Sequence, residues 1–211
     1  MSVPPSKSQD QAKIYALANS GDREVVSDND LLAAVAGGDR EAFAVLMKRY
    51  LSSMVVLAQR IVFDREQAYE IAQEAFLRVW QNAAKWDPFG TATFLTWLRL
   101  VVVNLSISRR RRYREQVSLD VIEELPSDMA DGFDLTAGAE KKKIVGAALE
   151  KLPERQRAAI ALYYFDELSQ IEAAEVMQMT PRAFDSLIVR SRSNLKKYLV
   201  ELGLRNKEDV S

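Results

Sequence analysis

Apolar residues recur every three or four positions through most of this chain and do not alternate over any useful length, the mark of amphipathic helices rather than strands. Over residues 30–62 they fall at Leu31, Leu32 and Val35, then Phe43, Leu46, Met47 and Tyr50, then Val55, Ala58 and Ile61, with Gly37-Gly38-Asp39 as a break between helices. Asp64, with Gln67 three residues on, predicts a capping-box start. The helix it opens carries Ile71, Ala75, Phe76, Val79 and Trp80. Asp87-Pro88-Phe89-Gly90 is turn chemistry. A long helix follows from about Thr93, with Phe94, Trp97, Leu98, Val101, Val102 and Leu105 inward, and ends in Arg109-Arg110-Arg111-Arg112-Tyr113-Arg114.

A second helical block begins near Lys141. Pro153 suits the first turn of a helix reaching about Phe165, because proline lacks an N–H that the first turn does not need. Ser169-Gln170-Ile171-Glu172 is a capping box, and Thr180-Pro181 pairs an N-cap with a helix-opening proline. A short helix joined by Gln178, Met179 and Thr180 to a longer one is the spacing of a helix-turn-helix. Ile171, Ala174, Phe184, Leu187 and Ile188 would join the two helices, leaving Arg182, Asp185, Ser186, Val189 and Arg190 outward. Spacing alone fits a plain helical hairpin equally well.

The predicted fold is therefore all-α, as two small helical domains over residues 28–114 and 141–204. Residues 1–27 form a weakly structured extension with a short helix near 11–19, and residues 205–211 a tail. Charge sharpens this division. The whole chain of 211 residues has a formal net charge of -1, which speaks against nucleic acid. By segment the picture changes. Residues 28–114 hold 13 basic and nine acidic groups, and residues 141–211 hold 13 and 10. Residues 115–140 hold eight acidic groups and no basic one, with Pro126, Gly132 and Gly138, and read as an extended, flexible acidic linker. Of the 29 basic groups, 26 lie in residues 28–114 and 141–211.

The absence of both Cys and His removes thiol and imidazole catalysis, disulfides and Cys/His metal sites. No Gly-rich phosphate loop is present. No enzyme, cofactor or metal is expected. The N-terminus lacks a signal-peptide pattern, and the apolar stretch 94–107 is interrupted by Arg99 and Asn104 and is too short for a bilayer. A cytoplasmic location without membrane insertion follows as the expectation. Five guanidinium groups within residues 109–114, and no Lys, suit a phosphate backbone better than a merely solvated helix end. Trp97 sits at core spacing, whereas Phe89 and Thr91, in the turn, are better placed to meet an unpaired base.

Three stretches together resemble a known family. Residues 64–80 resemble the core-polymerase-binding helix of bacterial sigma factors, residues 94–112 their promoter-melting and −10-reading helix, and Leu152-Pro153-Glu154-Arg155-Gln156-Arg157 with Leu168-Ser169 and Ser186, Arg190 and Arg192 their −35-reading domain. The size and two-domain layout are similar to the extracytoplasmic-function (ECF) subgroup. The resemblance implies binding to the clamp of the largest subunit of core RNA polymerase through Glu70, Gln73, Glu74, Phe76 and Arg78. It implies −10 contacts from Trp86, Phe89, Thr91, Thr93, Asn104, Arg109, Arg110, Arg111 and Arg112, with a flipped base held by the loop. It assigns −35 reading to Arg182, Asp185, Ser186, Val189 and Arg190, and implies promoter DNA and an anti-sigma factor as partners, the latter holding the protein inactive until a stress signal. Melting driven by binding unstacked bases needs no catalytic residue.

Several positions depart from the family pattern. Gln178 stands where Gly is frequent, which would put a side chain in the left-handed region. Asp185 and Leu187 stand where basic residues are common, Ser108 where Asp is common, and Tyr69 where an acidic residue is usual. The alternatives are a sigma-like decoy that sequesters an anti-sigma factor and a stand-alone helix-turn-helix regulator.

Overall fold

The computed structural model describes residues 26–117 and 139–204. The short helix expected near 11–19 and most of the acidic linker lie outside the described residues. Within them the chain forms α-helices and no strand. Helix α1 (Asp28–Ala36) starts under Ser27, whose hydroxyl accepts from the Asp30 N–H. Asp39 caps α2 (Arg40–Val62) by accepting from the Glu41 and Ala42 N–H groups. Asp64 caps α3 (Arg65–Asn82) by accepting from the Gln67 N–H. The Gln67 side chain turns onto the same carboxylate instead of reaching back to the backbone, so half of the expected capping box forms. A 3₁₀ turn (Ala83–Lys85) leads into the loop, and α4 (Phe94–Val117) runs through the arginine cluster. Helices α2, α3 and α4 pack on one another around Leu46, Leu57, Ile61, Ile71, Phe76, Leu98 and Val102.

Tyr50 ties α2 to the start of α1 by donating to the Asp28 carboxylate, which also takes Arg49 at 2.8 Å. Burial, then the bond to Asp28, pushes the phenol up to about 12. Its unfolded value lies near 10, so its stabilising contribution is complete below pH 10 and is lost as pH rises from about 10 to 12. The Tyr50 phenol should titrate near pH 12 by absorbance. That phase should vanish in Tyr50→Phe, which should also lose about 1–2 kcal/mol of stability in urea unfolding.

The second domain comprises α5 (Ala139–Glu150), α6 (Glu154–Ile160) running on as a π-helical turn (Ala161–Phe165), α7 (Gln170–Val176) and α8 (Pro181–Glu201). Pro153 occupies the N-cap of α6, one residue ahead of its expected place. The Ser169–Glu172 capping box forms in full, and the Ser169 hydrogen bonds hold the Glu172 carboxyl below its ordinary range. Gln178 adopts φ 51°, in the left-handed region, and joins α7 to α8. Phe184, Leu187 and Ile188 pack with Ala174 as the pattern indicates, but Ile171 is 69% exposed. The buried stripe of α7 runs through Ala173, Ala174 and Val176, and helical geometry turns Ile171 away from it.

Nothing in the residue pattern points to one further feature: the two domains are docked. Helix α4 packs against α6 and α7, and α2 against α6 and the π-helical turn. Arg157 is 1% exposed and donates across the junction to the Ile61 carbonyl, and within its own domain to the Glu150 and Leu152 carbonyls at 2.9 Å each. Its guanidinium also stacks 4.7 Å from the centre of the Phe63 ring.

Candidate functional site

Helix α3 separates its residues sharply. Ala68, Ile71, Ala72, Ala75, Phe76 and Val79 form the buried stripe. Phe76 is 1% exposed, with its ring edge-on to Phe43, so the expectation of a clamp contact there is corrected: it is a core residue at i+4 from Ala72. Glu70, Gln73 and Arg78 lie on the outer face, and Glu74 is half-buried beside it, bonded to Arg78 at 2.7 Å. Leu77 and Tyr69 stand on that face too, Leu77 with 52% of its surface exposed. Leu77 is what the sequence reading missed. Its signal was its place four residues after Gln73, on the side opposite the apolar stripe.

The loop before α4 is built by side-chain bonds. Asp87 accepts from the Phe89 N–H at 3.0 Å, and its carbonyl from the Gly90 N–H at 3.2 Å. A β-carbon on Gly90 would meet that carbonyl at 3.2 Å. Trp86 donates to the Asn29 side chain at 2.9 Å, and Asn29 donates to the Pro88 carbonyl at 3.4 Å, so α1 anchors the loop. Sequence reading did not single out Asn29, because a residue in a cap sequence looks local. Thr93 accepts from the Thr96 N–H at 3.2 Å, closing the first turn of α4. Thr91 is exposed, and Phe89 is 94% exposed with its ring presented to solvent.

Beside this loop a cavity of about 220 Å³ is lined by Leu32, Val79, Asn82, Ala83, Lys85, Trp86, Phe94 and Trp97. Trp97 is half-buried and packs against the core, and together with Trp86 and Phe94 it makes an aromatic wall with centroids 6.0–6.3 Å apart. Further along α4, Asn104, Arg111 and Arg112 are exposed, with Arg112 donating to the Ser108 carbonyl at 3.4 Å. Two of the cluster's arginines are paired with carboxylates in the fold. Arg109 is bonded to Glu70 of α3, and Arg110 to Glu150 of the second domain at 3.2 Å.

On α8, Arg182, Asp185, Ser186, Val189 and Arg190 are all exposed. Asp185 accepts from the Gln170 amide at 3.0 Å, linking the two helices of the turn. Ser186 donates to the Arg182 carbonyl and Arg190 to the Ser186 carbonyl, each at 3.1 Å. Leu187 is buried, so an apolar residue there serves the helix junction. Among the described residues no three carboxylates cluster as a metal site, and no helix is long and apolar enough to cross a membrane.

Two family models match, "Sigma-70 region 2" over residues 46–116 and "Sigma-70, region 4" over residues 142–195. The chain is 32% identical to the ECF RNA polymerase sigma factor SigW of Bacillus subtilis over 178 residues, 80% of this chain and 94% of that protein. It is 31% identical to the ECF RNA polymerase sigma-E factor of Escherichia coli over 180 residues, covering 80% and 92%. The fold also matches two solved structures. CnrH, in complex with the cytosolic domain of CnrY, matches at TM-score 0.58 and 24% identity over 82% of this chain and 97% of CnrH. RpoE of Bartonella quintana, in complex with the anti-sigma factor NepR, matches at TM-score 0.59 and 20% identity over 75% and 96%. The helices and surfaces described above thus define a two-domain sigma factor of the sigma-70 class. The chain belongs to its ECF family.

Proposed function

We propose that this chain binds core RNA polymerase and directs it to promoters, acting in the cytoplasm as a specificity subunit with no catalytic residue. The outer face of α3 (Glu70, Gln73, Glu74, Leu77 and Arg78) docks on the polymerase clamp. The 86–93 loop takes an unpaired base of the −10 element, with Phe89 as the stacking ring and Thr91 beside it. Asn104, Arg111 and Arg112 hold the adjoining backbone, and the exposed side of α8 reads the −35 element. The observation that carries this reading is Phe89. A large apolar ring at the tip of a loop fixed by Asp87, Asn29 and Gly90 has no role in folding, and it suits base stacking. An anti-sigma factor responding to stress completes the scheme, in line with the complex of RpoE with the anti-sigma factor NepR. The decoy alternative loses one of its motives, because Leu187 is a packing residue.

The test is open-complex formation by holoenzyme carrying Phe89→Ala. Loss of one stacked base is worth about 1–3 kcal/mol, so promoter opening probed by permanganate should fall about 5- to 150-fold while core binding and thermal stability stay at the parent level. Unchanged opening would remove Phe89 from the site.

A further inference from the structure

We infer, on the promoter reading proposed above, that Asp185 and Gln170 act as one unit that selects a cytosine in the −35 element by accepting a hydrogen bond from its N4 amine. Asp185 is the fifth residue of α8, on the exposed face that also carries Arg182, Ser186, Val189 and Arg190. In a helix-turn-helix, residues near the start of the second helix lie against base edges. One carboxylate oxygen, Oδ1, accepts from the Gln170 amide at 3.0 Å. Among the described residues no second hydrogen bond and no ion pair reaches this carboxylate, so Oδ2 is open. Its neighbours on the face supply no donor. Ser186 gives its proton to the Arg182 carbonyl, and Arg190 its Nε proton to the Ser186 carbonyl, while Val189 is apolar. The bond between Gln170 and Asp185 is not what holds the two helices together. Both residues are exposed, and an exposed polar pair contributes little net stability. Ala174, Phe184, Leu187 and Ile188 already pack that junction. The bond instead fixes a side chain that would otherwise sample several rotamers on an open helix face.

A carboxylate in a DNA groove places strict demands on what it meets. It is repelled by the phosphates, it only accepts hydrogen bonds, and an acceptor desolvated without a donor costs free energy. In the major groove donors are few. Cytosine presents its N4 amine and adenine its N6 amine, whereas guanine presents O6 and N7, and thymine O4 and a methyl group. Guanine and thymine therefore set acceptor against acceptor. Adenine has the N7 acceptor beside its amine, so a carboxylate that approaches N6 also meets the N7 lone pair. Cytosine offers a donor with no acceptor on the same base edge. With Oδ1 held by Gln170, the one open oxygen matches that one donor. Selection is then as much rejection as attraction, because the other three bases each leave the carboxylate facing an acceptor. Phosphate repulsion weakens binding to every sequence, and the N4 bond offsets it only where cytosine stands. Gln170 is a positioning residue, since it acts through Asp185.

The test starts from a promoter at which the full-length chain directs core RNA polymerase, randomises its −35 region, and sequences the DNA that the holoenzyme retains. The parent should favour a C·G pair, in one orientation, at one position by about 5- to 30-fold over the alternatives. Asp185→Ala should abolish that preference and leave the other positions unchanged. Asp185→Asn should admit adenine on the strand where cytosine stood, because an amide accepts from N6 and donates to N7. Gln170→Ala should lower the cytosine preference about 2- to 5-fold at that position alone. A merely structural role would instead lower enrichment at all positions together and reduce the thermal midpoint, which should be unchanged in all three variants. Replacing the selected cytosine with 2-pyrimidinone, which lacks the amine, should weaken binding of the parent and not of Asp185→Ala. A −35 preference that Asp185→Ala leaves intact, or a lost preference that reads an A·T pair, overturns the inference while the promoter reading stands. Failure of the chain to direct polymerase to any promoter refutes the promoter reading, and the inference with it.

Discussion

Phe76→Ala is expected to destabilise the first domain by about 3–5 kcal/mol, moving its thermal midpoint down by more than about 10 °C. The ring is 1% exposed, lies in the stripe of Ala72, Ala75 and Val79, and meets Phe43 edge-on with centroids 6.2 Å apart. Leu77→Ala, one residue along, is expected to change stability by less than about 0.5 kcal/mol and to weaken core-polymerase binding about tenfold, as loss of an interface anchor does. The contrast separates fold from interface on a single helix. Calorimetry and a polymerase titration on both variants check it. A stable Phe76→Ala that fails to bind polymerase would return Phe76 to the interface.

Arg157→Leu is expected to have an effect of similar size, about 3–5 kcal/mol. The substitution leaves the Ile61, Glu150 and Leu152 carbonyls without their donor and removes the stacking on Phe63. Arg157→Lys should recover only part of the loss, because one ammonium cannot reproduce a planar fork that serves three acceptors. Urea unfolding of the full chain measures both.

Local features were legible in the residues because their causes are local. Asp64, Ser169 and Thr180 cap the helices they precede, and the left-handed Gln178 follows from a short turn without glycine. The all-α fold and the helix-turn-helix followed from periodicity. Face assignments were less secure where apolar and polar residues adjoin. Phe76 and Leu77 are neighbours of similar character, and only the position of the stripe decides which is inside. Ile171 shows the same ambiguity in a helix too short to define its stripe. What depends on distant chain segments was not legible. The bonds from Glu70 to Arg109 and from Glu150 to Arg110 join residues about 40 positions apart, and Asn29 reaches the loop across nearly 60. Charge counts said that the arginines were available, and the folded chain shows two of them held by carboxylates. Domain docking, built on Arg60, Arg99, Arg157 and Asp166, left no mark in the pattern because each of these looks like an ordinary charged helix residue.

Run-off transcription on fragmented genomic DNA, with purified core RNA polymerase and the full-length chain and with sequencing of the RNA 5′ ends, bears on the whole scheme. The expected result is a discrete set of start sites, absent with core polymerase alone, that share elements near −10 and −35 and weaken in the Phe89→Ala holoenzyme. Start sites no different from those of core polymerase alone would contradict it.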